Sequence, residues 1–120
     1  MAKIITLQSV HDARGSLTVI EKVLPFTIKR IFYVYNIKAP RGGHRHKLNH
    51  MGLVALGGTI EVEVINSSGK ALFKLSGPEE CLYLEPQDWH QFKAENEKVV
   101  LMAVCSHEYD PDDYITESYS

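Results

Sequence analysis

Leu53-Val54-Ala55-Leu56-Gly57-Gly58-Thr59-Ile60-Glu61-Val62 sets two apolar-rich runs around a pair of glycines. From Thr59 the second run alternates strictly between polar and apolar residues as far as Val64. That period of two belongs to a strand with one face in the core and one in water. Adjacent glycines supply the positive φ of a two-residue turn, so the stretch is predicted to be a β-hairpin. Its register sets Leu56 opposite Thr59, Ala55 opposite Ile60 and Leu53 opposite Val62. Opposed residues share a face, which gives an inner face of Met51, Leu53, Ala55, Ile60, Val62 and Val64. Glu61 and Glu63 fall on the other face with Gly52 and Val54, and His50 joins them if the strand extends that far.

The same period runs through the rest of the chain. Short strands are expected at Ile4–Leu7, Leu17–Lys22, Lys70–Leu75, Cys81–Leu84, Gln91–Lys93 and Val99–Val104. Lys29 to Ile37 is β-branched and aromatic on both faces after Arg30, as a central strand would be. Turns are expected at Asp12–Gly15, Pro40–Gly43, Asn66–Gly69, Gly77-Pro78 and Glu85–Asp88. No segment keeps helical spacing, apart from a short turn near the acidic tail. Many short strands with close turns indicate an all-β domain of antiparallel strands, a sandwich or small barrel.

The 120 residues are read as one domain, spanning 1–120. Thirteen basic and fifteen acidic side chains give a net charge of −2 with no run of either sign, which excludes general nucleic-acid affinity. No stretch has the length or apolarity of a membrane span, and the N-terminus lacks a signal-peptide core. Cys81 and Cys105 sit in apolar runs and are read as inert core thiols. A cytoplasmic protein is expected.

Arg41-Gly42-Gly43-His44-Arg45-His46-Lys47 carries the chemistry. Two histidines one residue apart, where a loop becomes a strand, point to the same side. Imidazole titrates near neutral pH, so the pair fits either proton transfer or metal ligation. The bland alternative is an ordinary polar strand edge. His44-x-His46-x-x-x-His50 is similar to the first motif of metal-binding cupins, with His50 where a carboxylate usually sits. The second motif would be Pro86-Gln87-Asp88-Trp89-His90, but aspartate replaces a glycine and one residue is missing before the histidine. A slip of one residue turns a strand side chain to the opposite face, so His90 is not expected to converge with His44 and His46. No metal is assigned, because a transition-metal site wants three or four ligands.

Arg41-Gly42-x-His44-x-His46-Lys47, Pro25-Phe26-x-Ile28-Lys29-Arg30-Ile31-Phe32-Tyr33 and Ser106-x-Glu108-Tyr109-Asp110-x-x-Asp113-Tyr114-Ile115 carry a resemblance to a known family. So do Asp12-x-Arg14-Gly15-x-Leu17 and Trp89-His90. The chain resembles, over nearly its whole length, the cupin-fold 3,4-ketoisomerases of dTDP-4-oxo-6-deoxyglucose. The resemblance implies a cupin-type jelly-roll barrel, a homodimer, no cofactor or metal requirement, and a dTDP-linked keto-deoxyhexose as substrate. It also implies a place in making deoxyamino sugars for cell-surface polysaccharide. His44 and His46 would be the acid–base pair, with Arg41 or Tyr33 supplying donors to the developing enediolate. Arg30, Arg41 and Lys47 would meet the diphosphate, and Tyr35 would stack on thymine. Arg14 and His90 would set the face from which carbon 4 is protonated, His90 pointing to the galacto product.

Four departures stand out. Met51 sits where the family usually carries glutamine, His50 at a position where members vary, and Arg45 where a small residue is usual. The stretch after Ile115 is shorter than in many relatives. Two other classes stay open: a non-catalytic sugar-nucleotide binding domain, and a metal-dependent cupin enzyme.

Overall fold

A computed structural model describes residues 2–119. Twelve antiparallel strands make up most of the described chain. They are β1 Lys3–Thr6, β2 Gln8–Asp12, β3 Gly15–Val19, β4 Arg30–Val34, β5 Arg41–His46, β6 Met51–Leu56, β7 Ile60–Asn66, β8 Gly69–Leu75, β9 Glu80–Leu84, β10 Trp89–Ala94, β11 Val100–Cys105 and β12 Tyr114–Ile115. One sheet has the order β1-β9-β6-β11-β4, and the second runs β12-β5-β10-β7-β8. β2 and β3 form a separate hairpin. The fold is the expected all-β jelly roll, built as two facing five-stranded sheets.

The pairing overturns the predicted hairpin. β6 bonds to β9 and β11 in one sheet, whereas β7 bonds to β8 and β10 in the other. Gly57 and Gly58, at φ 81° and 157°, therefore carry the chain across the sandwich instead of closing a ladder. Valine at position 58 would also set its Cβ 2.6 Å from Val99 Cγ2. The inner face nevertheless contains Met51, Leu53, Ala55, Ile60, Val62 and Val64, all buried in one cluster. Alternation survives the correction because strands facing each other across a core show the same pattern as strands paired side by side.

Glu61 and Glu63 do face outward, where they meet Lys93 and Lys70 at 3.4 and 3.1 Å. Val54 points away from the main core, yet it is buried under Leu7, Ile20 and Leu24 in a second apolar cluster. Cys81 belongs to that cluster, and burial pushes its thiol up to about 11, so it stays protonated and inert. β4 corrects a second expectation, since it lies at the edge of its sheet. Phe32 and Val34 pack on the core, while Ile31, Tyr33 and Tyr35 stand 62%, 66% and 61% exposed. An apolar outer face made this strand look central. The tail turn is a 3-10 helix, Pro111–Asp113, capped by the Asp110 side chain accepting from the Asp112 N–H. It leads straight into β12, which pairs with β5.

Candidate active site

β5 begins at Arg41 with two glycines at positive φ, 94° at Gly42 and 78° at Gly43. A Cβ on Gly42 would lie 3.0 Å from the His90 carbonyl oxygen, so only glycine lets β5 approach β10 this closely. Beyond the glycines the strand resumes its alternation and sends His44 and His46 into the barrel. Their ring centroids are 5.1 Å apart, one ring edge-on to the other.

His90 joins them, contrary to the sequence expectation. Its Cα pairs directly with that of His44, and the ladder is irregular between His90 and Gln91. The ring centroid of His90 lies 5.0 Å from that of His44 and 6.0 Å from that of His46. Against β7, β10 runs in unbroken register, with His90 opposite Val64 and Phe92 opposite Val62, so ordinary alternation turns His90 inward; the extra residue of the bulge, Gly43, lies on β5. Ligand-capable nitrogens of all three rings lie within 4.8 Å of one another. His50 points to the outer face, where its Nδ1 meets the Tyr83 hydroxyl at 2.7 Å.

Two of the rings have fixed tautomers. His46 Nδ1 lies 3.0 Å from Asp113 Oδ2; a carboxylate only accepts, so Nδ1 carries the hydrogen. The same carboxyl group accepts from the Leu48 and Asn49 backbone amides at 2.7 and 3.3 Å, which holds it in place. His90 Nδ1 meets the Asp88 carbonyl at 3.2 Å and must likewise donate. In both rings the basic nitrogen is therefore Nε2. Among the described residues, His46 Nε2 is the one buried side-chain nitrogen or oxygen without a hydrogen-bond partner. The rings of His44 and Tyr114 close around it, each within 5.1 Å of the His46 centroid.

Burial is the main cause that lowers all three basicities. His90 falls to about 3, with the neighbouring His44 adding to desolvation. His44 is lowered by burial against a hydrogen bond with Gly42 that raises it. His46 is lowered by burial and by His44, while Asp113 raises it through its hydrogen bond and charge. All three are neutral at pH 7.

The chamber above the rings measures about 550 Å³, inside the ~300–1,000 Å³ common for small-molecule sites. Met51, Leu53, Phe92 and Leu101 wall its apolar side, and Arg30, Arg41 and Asn49 bring polar groups. Arg30 is held over the Phe32 and Tyr109 rings at 4.7 and 5.3 Å. Tyr33 and Tyr35 border the opening, mostly exposed, and their rings contact each other at 6.1 Å. Arg14 and Lys47 are not brought here. Arg14 sits at the tip of the β2–β3 hairpin, paired to Asp12 at 2.8 Å, and the Lys47 side chain is exposed outside the cavity lining. Arg45 turns away, donating to the Glu117 carbonyl.

The family model described as FdtA: WxcM-like, C-terminal matches residues 1–120. The chain belongs to this family. A TDP-4-oxo-6-deoxy-alpha-D-glucose-3,4-oxoisomerase of Aneurinibacillus thermoaerophilus is 36% identical over 119 residues, covering 96% of this chain and 86% of the relative. The crystal structure of QdtA, a sugar 3,4-ketoisomerase of Thermoanaerobacterium thermosaccharolyticum solved with TDP, superposes with a TM-score of 0.91 at 32% identity, over 97% of this chain and 88% of that one. The WlaRB TDP-quinovose 3,4-ketoisomerase of Campylobacter jejuni gives 0.91 at 30% identity, over 97% and 92%.

Sequence reasoning used Asp113 and Tyr114 only as family signposts and missed their roles at the site. Asp113 lies 67 residues from His46, so no local spacing links them. Asp113→Ala should lower turnover by about 10- to 100-fold, the equivalent of one charge-assisted hydrogen bond of about 1.5–3 kcal/mol. It should also shift the pH profile. In the reading proposed below neutral His46 is the base, which makes activity fall as pH drops through a native pKa that burial lowers from the ordinary histidine value. Removing the carboxylate that raises it moves this acidic limb of kcat/KM to still lower pH. An unmoved limb would show that Asp113 only supports the fold.

Proposed function

We propose that this protein is a sugar-nucleotide isomerase, moving the keto group of a dTDP-4-oxo-6-deoxyhexose from carbon 4 to carbon 3. The observation that carries the reading is His46, 4% exposed, oriented by Asp113, with a bare Nε2 lone pair beside His44 in a chamber large enough for a hexose. The family membership and the named activities of its relatives support it.

His46 Nε2 takes the proton from carbon 3, and the electron pair of that C–H bond forms the carbon 3–carbon 4 double bond. The carbon 4 oxygen takes up the negative charge and receives the proton of the carbon 3 hydroxyl. His46 releases its proton to solvent, and His44 takes one up from solvent and delivers it to carbon 4, leaving the ketone at carbon 3. Neutral imidazoles of lowered basicity suit both transfers, because neither traps the proton. Arg41 and Arg30, with their fixed charge, face the enediolate and the diphosphate. Tyr33 stands at the rim, 66% exposed, rather than beside the rings, which leaves the enediolate donor to Arg41. Tyr35 at the rim offers a ring for thymine, and Met51 lays an apolar surface under the sugar. His90 touches His44 and orients the ring that returns the proton, which ties it to the stereochemistry at carbon 4.

The active unit is a homodimer. The exposed apolar row Ile31, Tyr33 and Tyr35 on an edge strand supports it, as does the β2–β3 hairpin with exposed Val10, Leu17 and Arg14. Light scattering at twice the chain mass tests this. Among the described residues no helix is long and apolar enough to cross a membrane. The free thiols Cys81 and Cys105 support work in the reducing cytoplasm.

Incubation with dTDP-4-oxo-6-deoxyglucose in heavy water, followed by NMR, tests the activity. The expected result is a 3-keto product deuterated at carbon 4, with exchange at carbon 3 of remaining substrate. Saturable dTDP binding without new sugar signals would instead identify a binding domain.

A further inference from the structure

We propose that His44, His46 and His90 also form a binding site for a divalent transition metal of the Zn²⁺ and Co²⁺ class, and that its occupation shuts off isomerisation. The histidines stand on neighbouring strands at one level of the barrel, His90 opposite His44 in register. One ring nitrogen from each of the three already lies within 4.8 Å of those of the other two. A tetrahedral site with metal–nitrogen distances of about 2.0–2.1 Å needs nitrogens about 3.3 Å apart, so the rings close by small side-chain rotations. His44, half-buried and on the cavity side, has the room to make them.

Two further observations point to a ligand. His46 Nε2 is buried with nothing to bond, aimed among the other rings. The outer nitrogens of His46 and His90 are each tied to an oxygen, the Asp113 carboxylate and the Asp88 carbonyl. Metal-binding histidines are oriented by such outer partners, which fix the tautomer and leave Nε2 for the ion. Three imidazoles without thiolate favour Zn²⁺, Co²⁺, Ni²⁺ or Cu²⁺ over Mg²⁺ or Ca²⁺. The three rings line the chamber, which leaves room there for a fourth ligand such as water.

The inhibitory half rests on the acid–base reading above. An ion at this site holds the lone pair that would accept the carbon 3 proton, so metal and proton transfer exclude each other. Chelation then raises activity.

Titrating metal-free protein with Co²⁺ tests the site without any substrate. One equivalent should produce the strong visible absorption of a four- or five-coordinate ion, displaced by Zn²⁺. His90→Gln and, as a variant at the less buried ring, His44→Asn should each weaken binding by about 10- to 100-fold or more, with circular dichroism confirming the fold. Weak six-coordinate absorption, or binding unaltered in both folded variants, overturns the site. Zn²⁺ should then suppress deuterium exchange into substrate, and EDTA restore it. Activity that requires added metal overturns the inhibitory role. Metal binding by a protein inactive with and without EDTA sinks the isomerase reading while leaving the site standing; an active enzyme blind to Co²⁺ does the reverse.

Discussion

His46→Asn should lower turnover by about 100-fold or more, the scale of a lost acid–base group. Asparagine keeps a side-chain N–H for Asp113 and nearly the same reach along β5, so the local fold is retained. Its amide has no nitrogen able to take a proton near neutral pH. The deficit belongs to kcat, with KM little changed, because the diphosphate contacts assigned to Arg30 and Arg41 are untouched. Single-turnover formation of the 3-keto sugar, read by NMR, measures it. A rate equal to that of the parent would remove His46 from the chemistry and, with it, the reason for its anchor on Asp113.

The second large effect is on stability. Asp88 is 1% exposed, and its carboxylate accepts from the Glu85 backbone amide at 2.8 Å and from the Asn66 side chain at 2.9 Å. Those bonds close the turn between β9 and β10 and tie it to the end of β7. Asp88→Ala strands both donors and leaves a cavity, a loss of about 3 kcal/mol. For a chain of this size that corresponds to a fall in Tm of about 10–15 °C, measurable by thermal unfolding. Asp88→Asn, which keeps one accepting oxygen, should lose less. A change of a degree or two for Asp88→Ala would mean that the turn holds its shape without the carboxylate. The same substitution loosens the segment that presents His90, so Co²⁺ affinity should fall with it.

Asp88 also shows how much a sequence says. Read along the chain, it was a departure from a glycine, and the residue missing beside it argued that His90 would face the wrong way. In space the aspartate closes the turn between β9 and β10, and regular alternation along β10 faces His90 and Phe92 into the core beside Val64 and Val62. The opposite happened at Gly57-Gly58. The inner face deduced from a hairpin register holds, although the two strands never pair. Lys29–Ile37 misled for a related reason, because residues exposed on an edge strand carry the same apolar signature as residues buried under a neighbouring layer.

Period-two alternation is a local property, so residue order alone located most of the strands, though neither β2 nor β12, together with the inner-face set and the shared direction of His44 and His46. It also carried the family motifs, Arg41 and Arg30 included. Strand partners, the edge position of β4, the convergence of His90 and the anchoring of His46 by Asp113 were decided only in three dimensions. Each of these depends on contacts between segments far apart in the chain, whose pairing is selected by the packing of the whole sandwich and leaves no periodic trace in either segment.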